Sequence, residues 1–164
     1  MITIDPDLLD RAQRLLAACR ARGLSLVTAE SCTGGLIAGV LTAVPGSSDV
    51  IDRGFVTYSN EAKTAMVGVP DELLAAYGAV SEPVARAMAS GALAHSAAGL
   101  AVAVTGIAGP GGGSAAKPVG LVHLAVAARD GRVVHERVVF PGDRAAVRAA
   151  TVLRALDLLE QLAG

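Results

Sequence analysis

The chain has 164 residues, 52% of them hydrophobic, with 14 Lys and Arg against 15 Asp and Glu and a formal net charge of -1. That length suits one domain, 1–164, able to bury a core without metal or disulfide staples. The evenly spread charge argues against a basic face for nucleic acid, and no run approaches the roughly 18 apolar residues of a membrane span.

The first turn of sequence carries Asp5, Asp7 and Asp10 where a signal peptide would be basic, so a cytoplasmic protein is expected. Asp5-Pro6 reads as an N-cap with proline at the first helical position. Leu8, Leu9, Ala12, Leu15, Leu16 and Cys19 then recur at helical spacing, predicting a helix over 6–22. Leu24 to Ala29 is a short apolar strand, followed by a helix over 33–43. Pro45 to Ser48 breaks the pattern, 50–58 reads as a strand, and 60–66 and 71–77 as short helices. Ser81 is expected to cap a longer helix, with Pro83 in its first turn, ending near Gly99. An apolar strand over 100–105 leads into a glycine-rich loop, 106–118. Residues 119–128 and 133–140 read as a hairpin through Asp130-Gly131, and a final helix over 143–162 buries Val152, Leu156 and Leu159.

Alternating helices and strands, several wholly apolar, indicate an α/β fold: a three-layer α/β/α sandwich whose mostly parallel sheet carries one antiparallel hairpin. With two Tyr, two Phe and no Trp, its core must come from Ala, Val, Leu and Ile, which favours close helix-on-sheet packing. Cys19 and Cys32 have neither metal-ligand nor disulfide-scaffold spacing.

Ligands in open α/β sheets gather at the carboxyl ends of strands. Three such segments carry chemistry. Glu30-Ser31-Cys32-Thr33-Gly34-Gly35 is a strand-to-helix turn whose hydroxyls and backbone N–H groups suit an anion or oxyanion. Ser31 or Thr33 could equally be an ordinary helix cap. Tyr58 to Lys63 offers a lysine able to act as base once buried, or else a capped helix with Asn60 as cap and a solvated lysine. Thr105, Gly106, Gly109 and Gly111 belong to a loop whose N–H groups could wrap a phosphate or ribose. It has neither Walker nor dinucleotide-binding spacing. Arg144 and Arg148, four apart, can project from one helix face toward an anion, or equally be a solvated arginine pair. His95, His123 and His135 form no triad pattern with Ser31, and no metal-ligand cluster is visible.

In order along the chain, AESCTGG, YSNEAK, GAVSEPVA, VTGIAGPGGG, KPVG and FPGDR resemble the nicotinamide-nucleotide amidase family, also known as the C-terminal domain of the competence/damage-inducible protein CinA. The resemblance implies hydrolysis of nicotinamide mononucleotide to nicotinate mononucleotide and ammonia, with no cofactor or metal. It implies Ser31 as nucleophile, Lys63 or Tyr58 as base, and Glu30, Cys32, Thr33, Gly34, Gly35, Thr105, Gly106, Gly109, Gly111 and Arg144 as substrate-binding residues. Oxyanion donors are expected near Thr33 and Gly34. No pyrophosphatase-like domain, found in some relatives, is expected before residue 1. A homo-oligomer, with a dimer favoured, is expected, with no nucleic acid or membrane partner. A non-catalytic nucleotide-binding module is the alternative, and a regulatory protein linked to DNA uptake or damage a further one.

Overall fold

A computed structural model describes residues 1–164. The elements in chain order are α1 (Pro6–Ala21), β1 (Leu26–Glu30), α2 (Leu36–Thr42), a 3-10 turn (Ser47–Asp49), β2 (Ile51–Val56), α3 (Asn60–Val67), α4 (Asp71–Tyr77), α5 (Glu82–Ala94), β3 (Leu100–Gly106), β4 (Leu121–Ala128), β5 (Val133–Val139) and α6 (Arg144–Ala163). They form the expected α/β sandwich. The sheet order is β2-β1-β3-β4-β5; β1 pairs parallel with β2 and β3, and β4 pairs antiparallel with β3 and β5. Only β4 therefore runs against the other strands.

The sheet separates two cores of different bulk. On one face α1, α2 and α6 cover Leu100, Val102 and Val104 of β3 and Val122, Leu124 and Val126 of β4. On the other, α3, α4 and α5 cover the alternating partners Ala101, Ala103, Ala125 and Ala127. The period-2 alternation of a strand thus places large residues on one side and alanines on the other. Each fully buried Val or Leu contributes about 1.5–3 kcal/mol of hydrophobic stabilisation. On the alanine side the gain comes from close approach instead: a Cβ on Gly91 of α5 would lie 1.8 Å from the Val67 carbonyl oxygen of α3.

Asp5 caps α1 by accepting from the Asp7 and Leu8 N–H groups, as its position before Pro6 predicts. Several element ends and caps differ from expectation. The second helix starts at Leu36 rather than 33, because Gly34 and Gly35 adopt left-handed φ values of +59° and +104° and prolong the turn. The second strand stops at Val56, two residues short of Tyr58. The α5 helix ends at Ala94, where Arg129 donates to the carbonyls of Leu93, Ser96 and Ala98 and closes the chain well before Gly99. Ser81 stands at the N-cap of α5 but donates to the Gly78 carbonyl instead of capping, and Ser59, not Asn60, caps α3. No helix is long and apolar enough to cross a membrane.

Candidate active site

The carboxyl ends of β1, β2 and β3 stand level, with Glu30 paired to Val56 on one side and Val104 on the other. The ladder continues one step further: Ser31 N–H donates to Val104 O at 3.1 Å and Thr57 N–H to Glu30 O at 2.8 Å. Ser31 is thereby fixed at the rim of the sheet by strand hydrogen bonds rather than by a loop of its own choosing.

Lys63 reaches Ser31 from the first turn of α3. It is 1% exposed, and its Nζ donates to the Thr57 carbonyl at 2.7 Å and to Ser31 Oγ at 3.0 Å. The solvated-lysine reading therefore fails. Desolvation pushes the Lys63 amine below its ordinary value, against a smaller opposing effect of Cys32. A neutral amine in this position keeps an N–H on Thr57 O and turns its lone pair toward the serine hydroxyl. Burial likewise pushes the Cys32 thiol up to about 11, leaving it an apolar wall beside the serine.

Glu30, read from the sequence as substrate-binding, has another task. Its buried carboxylate accepts from Thr33 Oγ1 at 2.6 Å, Ile37 N–H at 2.9 Å and Ala38 N–H at 3.0 Å. It neutralises the orphan N–H groups at the start of α2, work the glycine preceding the helix cannot do. Thr33 is engaged with it and is not a lone cap. The Gly34 N–H, expected near an oxyanion, donates to the Ser31 carbonyl at 3.0 Å and is not available.

A cavity of about 220 Å³ opens over the pair, lined by Ser31, Cys32, Tyr58, Asn60, Lys63, Ala79, Val80, Thr105, Gly106, Ala108 and Arg144. Seven of the residues named from the sequence meet here: Ser31, Cys32, Tyr58, Lys63, Thr105, Gly106 and Arg144. Glu30, Thr33, Gly34, Gly35, Gly109 and Gly111 do not line it. Tyr58 is 60% exposed, and its hydroxyl accepts from Arg144 at 3.1 Å, so it belongs to the rim. Arg144 also donates to the Gly109 carbonyl at 2.9 Å, which ties the glycine loop to α6. Thr105 Oγ1 donates to Ala79 O at 2.9 Å and Lys117 Nζ to Tyr77 O at 2.5 Å. These two bonds hold the 77–80 segment as one wall. Ala79 and Val80 carry no chemical signature of their own, although they fall within the GAVSEPVA stretch. A second, wider hollow of about 680 Å³ shares Ala108 and Arg144 with the first and adds Arg148 and the start of α6.

Residues 9–163 match the family described as CinA C-terminal domain. The chain belongs to that family. It is 51% identical over 157 residues to the nicotinamide-nucleotide amidohydrolase PncC of Escherichia coli (strain K12), covering 96% of this chain and 95% of that protein. It is 57% identical over 133 residues to a CinA-like protein of Akkermansia muciniphila, covering 81% of this chain but 32% of that longer one. Among solved structures, the competence/damage inducible protein CihA of Agrobacterium tumefaciens superposes with a TM-score of 0.97 at 54% identity, with both chains fully covered. A CinA-family domain thus accounts for the six sequence motifs and for the sandwich that gathers them.

Proposed function

We propose that this protein is a nicotinamide-nucleotide amidohydrolase that converts nicotinamide mononucleotide and water to nicotinate mononucleotide and ammonia, a step of pyridine nucleotide recycling. The observation that carries the chemistry is the buried Ser31–Lys63 hydrogen bond at 3.0 Å on the cavity floor. The substrate comes from the 51% identity to an enzyme of that name across nearly both chains.

In this reading neutral Lys63 takes the Ser31 hydroxyl proton as Oγ bonds to the carboxamide carbon, and the carbonyl π electrons move onto oxygen. The C–N bond then breaks, the leaving nitrogen takes the proton from the Lys63 ammonium, and ammonia departs from an acyl-serine ester. Lys63 next accepts a proton from water as it attacks the ester, and returning that proton to Ser31 frees the acid product. General-base help of this kind supplies about 10²–10⁴-fold. Lys63 fits the base role better than Tyr58, whose hydroxyl is taken up by Arg144 on the rim.

The carboxamide sits deep and the phosphate points toward Arg144 and the adjoining hollow, where a guanidinium can hold it. The near-neutral charge and two free cysteines suit a cytoplasmic enzyme without a nucleic acid partner, acting as a homo-oligomer, with a dimer favoured.

The test is ammonia release from nicotinamide mononucleotide by the wild type and by Ser31→Ala, with EDTA present. Release by wild type alone is expected, with nicotinamide riboside, which lacks the phosphate, turned over far less efficiently. Silence from the wild type together with tight mononucleotide binding would favour a non-catalytic binding module.

A further inference from the structure

We propose that Arg148 is a positioning residue: it grips the Cys32 and Thr33 carbonyls of the turn after Ser31 so that the Cys32 N–H serves the cavity as an oxyanion donor. This rests on the amidohydrolase reading above for its natural substrate, but not for its geometry. Arg148 lies one helical turn beyond Arg144 on α6. Its Nε donates to Cys32 O at 3.1 Å and a terminal nitrogen donates to Thr33 O at 3.3 Å. Six arginines of the chain, Arg11, Arg20, Arg53, Arg86, Arg132 and Arg154, pair with carboxylates; Arg148 instead spends its fork on two uncharged carbonyls next to the nucleophile.

In a planar trans peptide the C=O of one residue and the N–H of the next point in opposite directions. Drawing the Thr33 carbonyl toward Arg148 turns the Gly34 N–H the other way, and that group is found on Ser31 O at 3.0 Å. Drawing the Cys32 carbonyl toward Arg148 turns the Thr33 N–H away in the same manner, but there no acceptor within the chain meets it. The Cys32 N–H also has no partner residue, since the Ser31 carbonyl of its own plane faces Gly34. Thr33 is completely buried and lines no cavity, so its N–H is closed to a ligand, whereas Cys32 is 6% exposed and lines the cavity over Ser31. A buried donor without an acceptor costs about 1–3 kcal/mol, so the Cys32 N–H beside a nucleophilic serine calls for a ligand atom. The developing oxygen of the tetrahedral intermediate is the acceptor of the right charge. The left-handed Gly34 lets the turn close, and even a Cβ there would stand 3.5 Å from the guanidinium. The charge of Arg148 also reaches the site, since it favours the ionised form of Cys32.

The test uses Arg148→Lys, which keeps the charge but not the fork, and Arg148→Met, both checked by thermal melting against the wild type. Two readouts separate positioning from mere structure: kcat against KM for nicotinamide mononucleotide, and affinity for pyridine-3-boronic acid, which forms a tetrahedral adduct with an active-site serine, against affinity for planar nicotinate mononucleotide. In Arg148→Lys, kcat should fall about 10²-fold, the range for loss of one oxyanion donor. KM and product affinity should stay within about threefold, while boronate affinity falls in step with kcat/KM. Unchanged kcat, or equal weakening of boronate and product, would overturn the inference. If the wild type binds the boronate but releases no ammonia, the substrate reading fails and the boronate-to-product ratio still decides this one; a wild type that forms no adduct overturns both.

Discussion

The two faces of the sheet solve the same packing problem with opposite residues. Under α1, α2 and α6, β3 and β4 present Leu and Val; under α3, α4 and α5, the same strands present alanines one position along. The first face is stabilised by bulk and the second by proximity, with α5 seated so closely on α3 that Gly91 touches the Val67 carbonyl. The site at the strand ends draws on both. The alanine face delivers Lys63 on a short helix held against the sheet, and the larger core delivers Arg144 and Arg148 on the longest helix of the fold. A reactive amine needs a tight, dry seat; a rim proposed to meet the substrate's phosphate needs reach.

The largest effect should come from Lys63→Met, which keeps the volume of the seat but removes the amine. Turnover should drop on the order of 10³-fold, with the melting temperature held or raised because no buried amine has to be desolvated. In the wild type the lowered Lys63 value should place the rising limb of the pH–rate profile below that of a free lysine, and this limb should be missing from the residual activity of Lys63→Met. A Lys63→Met enzyme with near-normal turnover would remove the base from the mechanism and leave the lysine a packing residue.

Next come paired changes on the two faces. Leu124→Ala should cost about 2–5 kcal/mol by leaving a cavity in the larger core, with kcat per folded molecule preserved. Gly91→Ala should cost about 3 kcal/mol by overpacking, and it should lower kcat as well, since the Val67 backbone it displaces belongs to the helix that carries Lys63. Denaturant titration with activity at matched folded fractions separates the two. If Gly91→Ala melts normally, the alanine face has slack.

The smallest effect concerns His123, also on the alanine face. Its Nδ1 lies 2.9 Å from His135 Nε2 with the rings stacked, and His135 stands 3.6 Å from Glu82. Burial, then the neighbouring His135 and Arg137, hold His123 down at about 4, while Glu82 pulls the other way. The unfolded chain takes up this proton near 6.5 and the folded one only near 4, so stability is full above pH 6.5 and falls as the pH drops toward 4. His123→Gln should remove roughly 1–3 kcal/mol of that loss. Superimposable stability curves for variant and wild type between pH 7 and pH 4.5 would show that the pair is not titrating in this window.

Much of this was legible in the chain itself. The α1 cap at Asp5-Pro6 and the apolar strand at 100–105 are local signals, and local hydrogen bonding and side-chain periodicity produce them directly. The helix start at Leu36 was not, because Thr33 looks like an N-cap until Glu30 is seen to reach past it to Ile37 and Ala38. Nor was the part played by Arg148: its spacing from Arg144 suggested a second anion ligand, whereas it grips the carbonyls of Cys32 and Thr33, more than a hundred residues away in sequence.

By itself the sequence determined the order and kind of the elements, the segregation of large and small residues along β3 and β4, and the six motifs at the strand ends, since each depends on neighbours within a few positions. Only the tertiary structure decided which of those motif residues meet. It put Lys63 rather than Tyr58 on Ser31, turned Glu30 inward to hold a helix, and left the Cys32 and Thr33 N–H groups without acceptors. Those outcomes depend on burial and on directions of hydrogen bonds between elements far apart in the chain, and these exist only once the sheet has brought its carboxyl ends level.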